Sequence, residues 1–151
     1  MAYNITKERY NNMKKIFTIL TFALLLSLFS IPVHAETFKL FNLSSKTKYV
    51  DYKENGSTDY VVKNGGSKYE NVFYLTPTYF SRKGNAYFRS VKKGDSSVCT
   101  YALNVAYGGE NVPRSKYYKK NAPAGAKYML QAKRGTTDGD KGIKISGRWT
   151  P

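Results

Sequence analysis

Lys127, Lys133, Lys144 and Arg148 recur at even spacing in two short stretches near the end of the chain, and Arg134 and Lys141 flank the turn between them. A period of two puts such residues on one face of a strand. Paired as a hairpin, the two stretches would hold the four cations on one solvent-facing surface, spaced to track the phosphates of a polymer. Arg can take a phosphate bidentately, while Lys acts as a point charge. A second group, Arg114-Ser115-Lys116-Tyr117-Tyr118-Lys119-Lys120, interleaves cations with aromatics. Tyr117 and Tyr118 could stack on sugar rings or bases there while Arg114, Lys116, Lys119 and Lys120 hold phosphates. The competing readings are an ordinary solvated face for the first group and tyrosines packed on the core for the second.

Other chemistry is thin. The one histidine, His34, falls in what reads as a removable export signal. The remaining domain therefore lacks serine-histidine and cysteine-histidine nucleophile pairs and His-ligated metal sites. Paired carboxylates can hydrolyse glycosides without histidine. Asp51, Glu54, Asp59 and Glu70 are the nearest such group, but they sit among lysines in turn-like sequence and no spacing marks a pair. Asp138-Gly139-Asp140 lacks the further oxygen ligands and closing Glu of a calcium loop, so it reads as a turn. Cys99 is the only cysteine, so no intrachain disulfide forms, and its apolar flank makes it a small buried side chain. The expectation is a non-enzymatic protein with no cofactor and no bound metal.

Charge is uneven. The chain carries a formal net charge of +15 at pH 7. Residues 36–80 hold six Lys against five acids, whereas residues 81–151 hold fifteen Lys or Arg against four. A field of one sign attracts polyanions and is screened by salt. Anionic cell-wall polymers and membrane surfaces are the partners this balance suggests, and there is no specific nucleic-acid motif.

Met13-Lys14-Lys15, an apolar run from Ile16 to Ile31, Pro32 and then Val33-His34-Ala35 follow the three-part order of a secretory signal peptide. Cleavage is expected after Ala35, with residues 1–12 an N-terminal extension of a signal spanning 13–35. Residues 36–151 then form one domain, long enough to bury a core without staples. No segment of that domain is long and apolar enough to span a bilayer, so the protein is expected outside the cell or loosely on the wall.

The elements that must position these residues are strands. Tyr, Val, Phe and Thr are frequent, and glycines separate short apolar runs. Candidate strands lie at Thr37–Phe41, Tyr49–Tyr52, Asp59–Val62, Asn71–Tyr74, Thr78–Phe80, Ala86–Val91, Tyr101–Tyr107, Lys127–Lys133 and Ile143–Trp149. Pro77 marks an edge, a bulge or a break. Arg82-Lys83-Gly84-Asn85 reads as a hairpin turn and Lys93-Gly94-Asp95-Ser96 as the next. Residues 110–126 are mostly loop with one short strand. Tyr128, Leu130 and Ala132 face inward, as do Ile143, Ile145, Gly147 and Trp149. The pattern predicts an all-β fold, an antiparallel sandwich or partly open barrel of about seven or eight short strands.

Three stretches carry a resemblance: Ser115-Lys116-Tyr117-Tyr118, Gly125-Ala126-Lys127-Tyr128-Met129-Leu130-Gln131-Ala132 and Ile145-Ser146-Gly147-Arg148-Trp149. They make the C-terminal third similar to a family of small exported proteins of Gram-positive bacteria that has no assigned function and ends in a strand closed by Gly-x-Trp. The resemblance implies an exported all-β domain and supplies no reaction. Size, export and basicity also resemble those of secreted β-rich bacteriocins, without a shared motif. Two functional expectations follow. One is a secreted binder of anionic envelope or matrix polymers; the alternative is a bacteriocin-like antagonist of competing bacteria.

Overall fold

A computed structural model describes residues 35–65, 71–137, 139 and 141–151. The expected signal segment before Ala35, the extension before it, Glu70, Asp138 and Asp140 lie outside the described residues. The described chain forms twelve strands: β1 Glu36–Leu43, β2 Val50–Asp51, β3 Lys53–Glu54, β4 Ser57–Thr58, β5 Val61–Val62, β6 Val72–Phe80, β7 Gly84–Lys92, β8 Asp95–Cys99, β9 Leu103–Ala106, β10 Arg114–Tyr117, β11 Lys127–Thr137 and β12 Ile143–Thr150. The excess over seven or eight comes from β2 to β5, pieces of only two residues each.

Ten of the strands build two antiparallel sheets that face each other as a sandwich and do not close into a barrel, and β3 and β4 pair as a separate two-stranded sheet. The four-stranded sheet runs β1-β12-β6-β10. In the six-stranded sheet β11 and β7 are central; β2 and β5 flank β11, and β8 and β9 flank β7. Alternation supplies the inner faces. Phe38, Phe41, Phe73, Leu75, Ile143, Ile145 and Trp149 come from one sheet and Phe88, Leu103, Val105, Tyr128, Leu130 and Ala132 from the other, all in one buried cluster. Phe88 meets Phe38 and Phe41 across the layers at ring-centroid distances of 5.6 and 6.3 Å. Burying each such side chain contributes roughly 1.5–3 kcal/mol. Trp149 fills the core beside Phe73, at a centroid distance of 6.2 Å.

Two glycines are sterically required. A Cβ on Gly147 would come within 2.5 Å of the Thr76 carbonyl oxygen and 2.7 Å of the Phe38 ring. The glycine of Gly-x-Trp thus makes room for an aromatic from the neighbouring strand. Gly84 has φ +145, and a Cβ there would meet the Thr136 carbonyl oxygen at 2.5 Å.

One expected connection differs. Residues 82–85 do not close a hairpin, because β6 belongs to the four-stranded sheet and β7 to the six-stranded one. The turn carries the chain from layer to layer, since both flanking strands need a buried face and each finds its own sheet. Pro77 sits at a bulge of the interior strand β6, where the pairing with β12 shifts between Ser146 and Gly147. A proline, which has no N–H for the ladder, is tolerated in an interior strand because the bulge interrupts the pairing there. Its carbonyl oxygen accepts from Asn111 N at 2.6 Å.

Candidate functional site

The last two long strands do not pair with each other. β11 bonds to β7, β2 and β5, while β12 bonds to β1 and β6. They lie in opposite layers with their apolar faces turned to a common core, so their outward cations are parted. Lys127 and Lys133 stand on the outer face of the six-stranded sheet, and Lys144 and Arg148 on the outer face of the four-stranded one. The expectation of one surface shared by all four is corrected. Both stretches alternate equally well, and alternation says which side is buried without saying which strand lies alongside.

Arg134 does not belong to a surface at all. It continues the inward parity of Tyr128, Leu130 and Ala132 and is 6% exposed. Its Nη1 donates to the Lys141 carbonyl oxygen at 2.6 Å and to Thr137 Oγ1 at 3.3 Å. Lys141 is exposed, but its carbonyl is held from within. Tyr118 is also internal, 6% exposed, with its ring 5.3 Å from that of Tyr128. Its hydroxyl donates to Ser90 Oγ at 2.6 Å. Burial pushes the Tyr118 hydroxyl far above the ordinary tyrosine range, against the opposing effect of the Ser90 hydrogen bond. Its neighbour Tyr117 points outward and is 68% exposed. Arg114 is half-buried opposite Leu75, Lys116 is exposed, and Lys120 donates to Ser97 Oγ at 3.1 Å. Lys119 reaches the six-stranded sheet: its N–H donates to the Cys99 carbonyl oxygen, and its ammonium lies 5.6 Å from the centre of the Tyr101 ring.

The structure brings together a different set, on the outer face of the six-stranded sheet. Asp51, Gln131 and Arg89 are directly opposite one another on β2, β11 and β7. Gln131 Nε2 donates to Asp51 Oδ1 at 2.7 Å, and Arg89 Nε donates to Gln131 Oε1 at 2.8 Å. One step along, Lys133, Tyr87 and Asn104 form a second row across β11, β7 and β9. Alternate residues on a strand put these rows about 7 Å apart. Tyr49, just before β2, ties the rows together. The Arg89 guanidinium lies 4.1 Å from its ring centre and the Lys133 ammonium 5.2 Å, and Lys133 is also 5.6 Å from the Tyr87 ring. Burial raises the Tyr49 hydroxyl above its ordinary range, with the charge of Arg89 acting the other way.

On this face tyrosine rings hold the cations of Arg89 and Lys133 in place. Arg89 commits Nε to Gln131 and keeps its terminal nitrogens for a second acceptor. A shallow groove of about 570 Å³ adjoins the face, lined by Leu40, Phe41 and Val50 as well as by Tyr49 and Asp51. Of this face the sequence pointed to Lys127 and Lys133 but not to Tyr49, Tyr87, Arg89 or Gln131. Tyr87 and Arg89 were accessible from parity, since they alternate with Phe88 and Ser90. Tyr49 was not, because only the fold brings it beside β11.

Among the described residues, the acids named from the sequence other than Asp51 are spread elsewhere, as is Asp95. Asp59 is held above the ordinary carboxylate range by burial first and by the charge of Glu54 second. Asp95 is lowered by hydrogen bonds from the Ser97 hydroxyl and N–H. Among the described residues no three His, Cys, Asp or Glu side chains gather into a metal-binding group. The fold and face together define an antiparallel β-sandwich with a cation–aromatic surface. No family model, curated protein or solved structure matches the chain.

Proposed function

We propose that the chain is an exported, non-enzymatic protein that binds anionic polymers of the bacterial envelope across the outer face of its six-stranded sheet. The observation that carries this reading is the packing of Arg89 and Lys133 over Tyr49 and Tyr87 on one face. Lys127 extends the same face by three alternate positions beyond Lys133, about 20 Å along β11. An extended polymer laid along β11 meets Lys127, Arg89 and Lys133 in turn. Binding releases the counterions of the polymer, and Arg89 chelates one phosphate or carboxylate while the lysines neutralise others. Export is supported by the strand plan: β1 begins at Glu36, directly after the expected cleavage point. The absence of histidine from residues 36–151 supports a binding role over acid–base catalysis. The protein belongs, on this reading, with the small exported Gram-positive proteins that its C-terminal third resembles.

Retention of residues 36–151 on purified cell walls across a salt series tests the proposal. Retention is expected to weaken steeply with salt, and the R89Q/K133Q double substitution to lower the logarithmic slope by about 0.7–0.9 per cation removed. Retention that ignores salt, or that the double substitution leaves unchanged, overturns it.

A further inference from the structure

The opposite side of the molecule carries a second concavity of about 460 Å³, where β1 ends, β12 begins and the chain leaves β6. Arg82, Lys144, Ser81, Ser44, Asn42 and Tyr79 line it, together with backbone near Gly142. Among the described residues no carboxylate lines it beside the two cations. Arg82 Nε is buried and meets no hydrogen-bond partner. A buried donor left without an acceptor is a cost to the fold, and an anion in the pocket would offset it.

The wall is fixed by backbone. Lys144 stands directly opposite Asn42 across β12 and β1. Ser81 N donates to the Lys144 carbonyl oxygen at 2.9 Å, and Lys144 N donates to Ser81 Oγ at 3.0 Å. Ser81 Oγ is thereby an acceptor toward the protein, which leaves its hydroxyl proton for a ligand. Guanidinium, ammonium, serine hydroxyls and the Asn42 amide together offer more donors than a planar carboxylate uses and suit a tetrahedral phosphate. The cavity is much larger than a phosphate ion. Tyr79, 47% exposed, supplies an aromatic face where the rest of a sugar could lie.

We infer that this pocket binds a phosphate group carried on a sugar. The inference is independent of polymer binding at Arg89 and Lys133, because Lys144 and Tyr79 belong to the outer face of the other sheet.

Amide and arginine-side-chain NMR titrations of residues 36–151 with inorganic phosphate and with glucose 1-phosphate test it. Saturable shifts confined to Asn42, Ser81, Arg82 and Lys144 are expected, with glucose 1-phosphate the tighter ligand. R82Q should weaken both ligands about tenfold, and the exposed K144Q should weaken both as well, which keeps the test decisive should R82Q fail to fold. Y79A should weaken glucose 1-phosphate while leaving inorganic phosphate within about twofold. The R89Q/K133Q protein should bind both as the parent does. Shifts that rise without saturation at lysines on both faces, or affinities untouched by R82Q and K144Q, overturn the site. Equal affinity for the two ligands, unchanged in Y79A, overturns the sugar.

Discussion

Lys63 Nζ donates to the carbonyl oxygen of Pro151 at 2.6 Å, from a side chain only 1% exposed. The same ammonium donates to the Val72 carbonyl oxygen at 3.2 Å and lies 5.0 Å from the centre of the Tyr118 ring. One buried cation thus joins the end of β5 to the start of β6 and to the last residue. Lys63→Met keeps the length of the side chain and removes every donor. It should cost about 3 kcal/mol, as expected when charge-assisted hydrogen bonds are lost and their carbonyl partners stay buried. For a domain of this size that lowers Tm by more than about 10 °C. A thermal melt showing Lys63→Met within a degree or two of the parent would remove the ammonium from the account of the core.

Tyr118 and Tyr128 make the fold sensitive to alkali. Burial raises both hydroxyls, that of Tyr128 to about 12. In an unfolded chain both would ionise near pH 10. Between those values the unfolded chain has lost protons that the fold keeps, so stability falls as pH rises. Tm should be flat below about pH 9.5 and drop steeply from pH 10 to 12. Tyrosinate absorbance from these two residues should appear only with unfolding. Melts that hold their midpoint to pH 12 would contradict this.

Gly147→Ala forces a methyl against the Thr76 backbone and the Phe38 ring. Overpacking of this kind costs about 1–3 kcal/mol. Adding Phe38→Leu relieves the ring but not the backbone contact, so the double substitution should fail to regain full stability in urea titrations. A Gly147→Ala protein as stable as the parent would show that β12 can shift there without loss.

Arg134→Gln tests whether this arginine is a clamp or a contact for polymer. Loss of the guanidinium leaves the Lys141 carbonyl to Thr137 Oγ1, at 2.8 Å, and loosens the backbone at Lys141, so trypsin should cut there several times faster. Retention on cell walls should match the parent, because the side chain faces inward. Weaker retention with unaltered proteolysis would restore Arg134 to the binding surface.

The faces of β11 and β12 were legible because one buried side imposes a strict period of two. Tyr128, Leu130 and Ala132, and Ile143, Ile145 and Trp149, lie inside as their spacing indicates. The same parity carried one step further places Arg134 inside; its charge and its place beside the turn argued for the surface, and the Lys141 carbonyl decided otherwise. Layer membership was not legible, since a chain leaving β11 at Thr137 can return beside it or cross the core with the same pattern. The meeting of Tyr49 with Arg89 was beyond reach for a related reason. The pairing that unites them runs through Gln131, 42 residues from Arg89. No local signal encodes a contact of that separation.

The first strand finds its ladder partner only in the last, with Glu36 opposite Trp149 and Leu43 opposite Ile143. Such distant pairings close slowly, because a long loop must be drawn in before they are rewarded. The four-stranded layer therefore cannot assemble until residues 143–150 are made. A chain cut before Ile143 would therefore leave β1 and β6 without the strand that joins them.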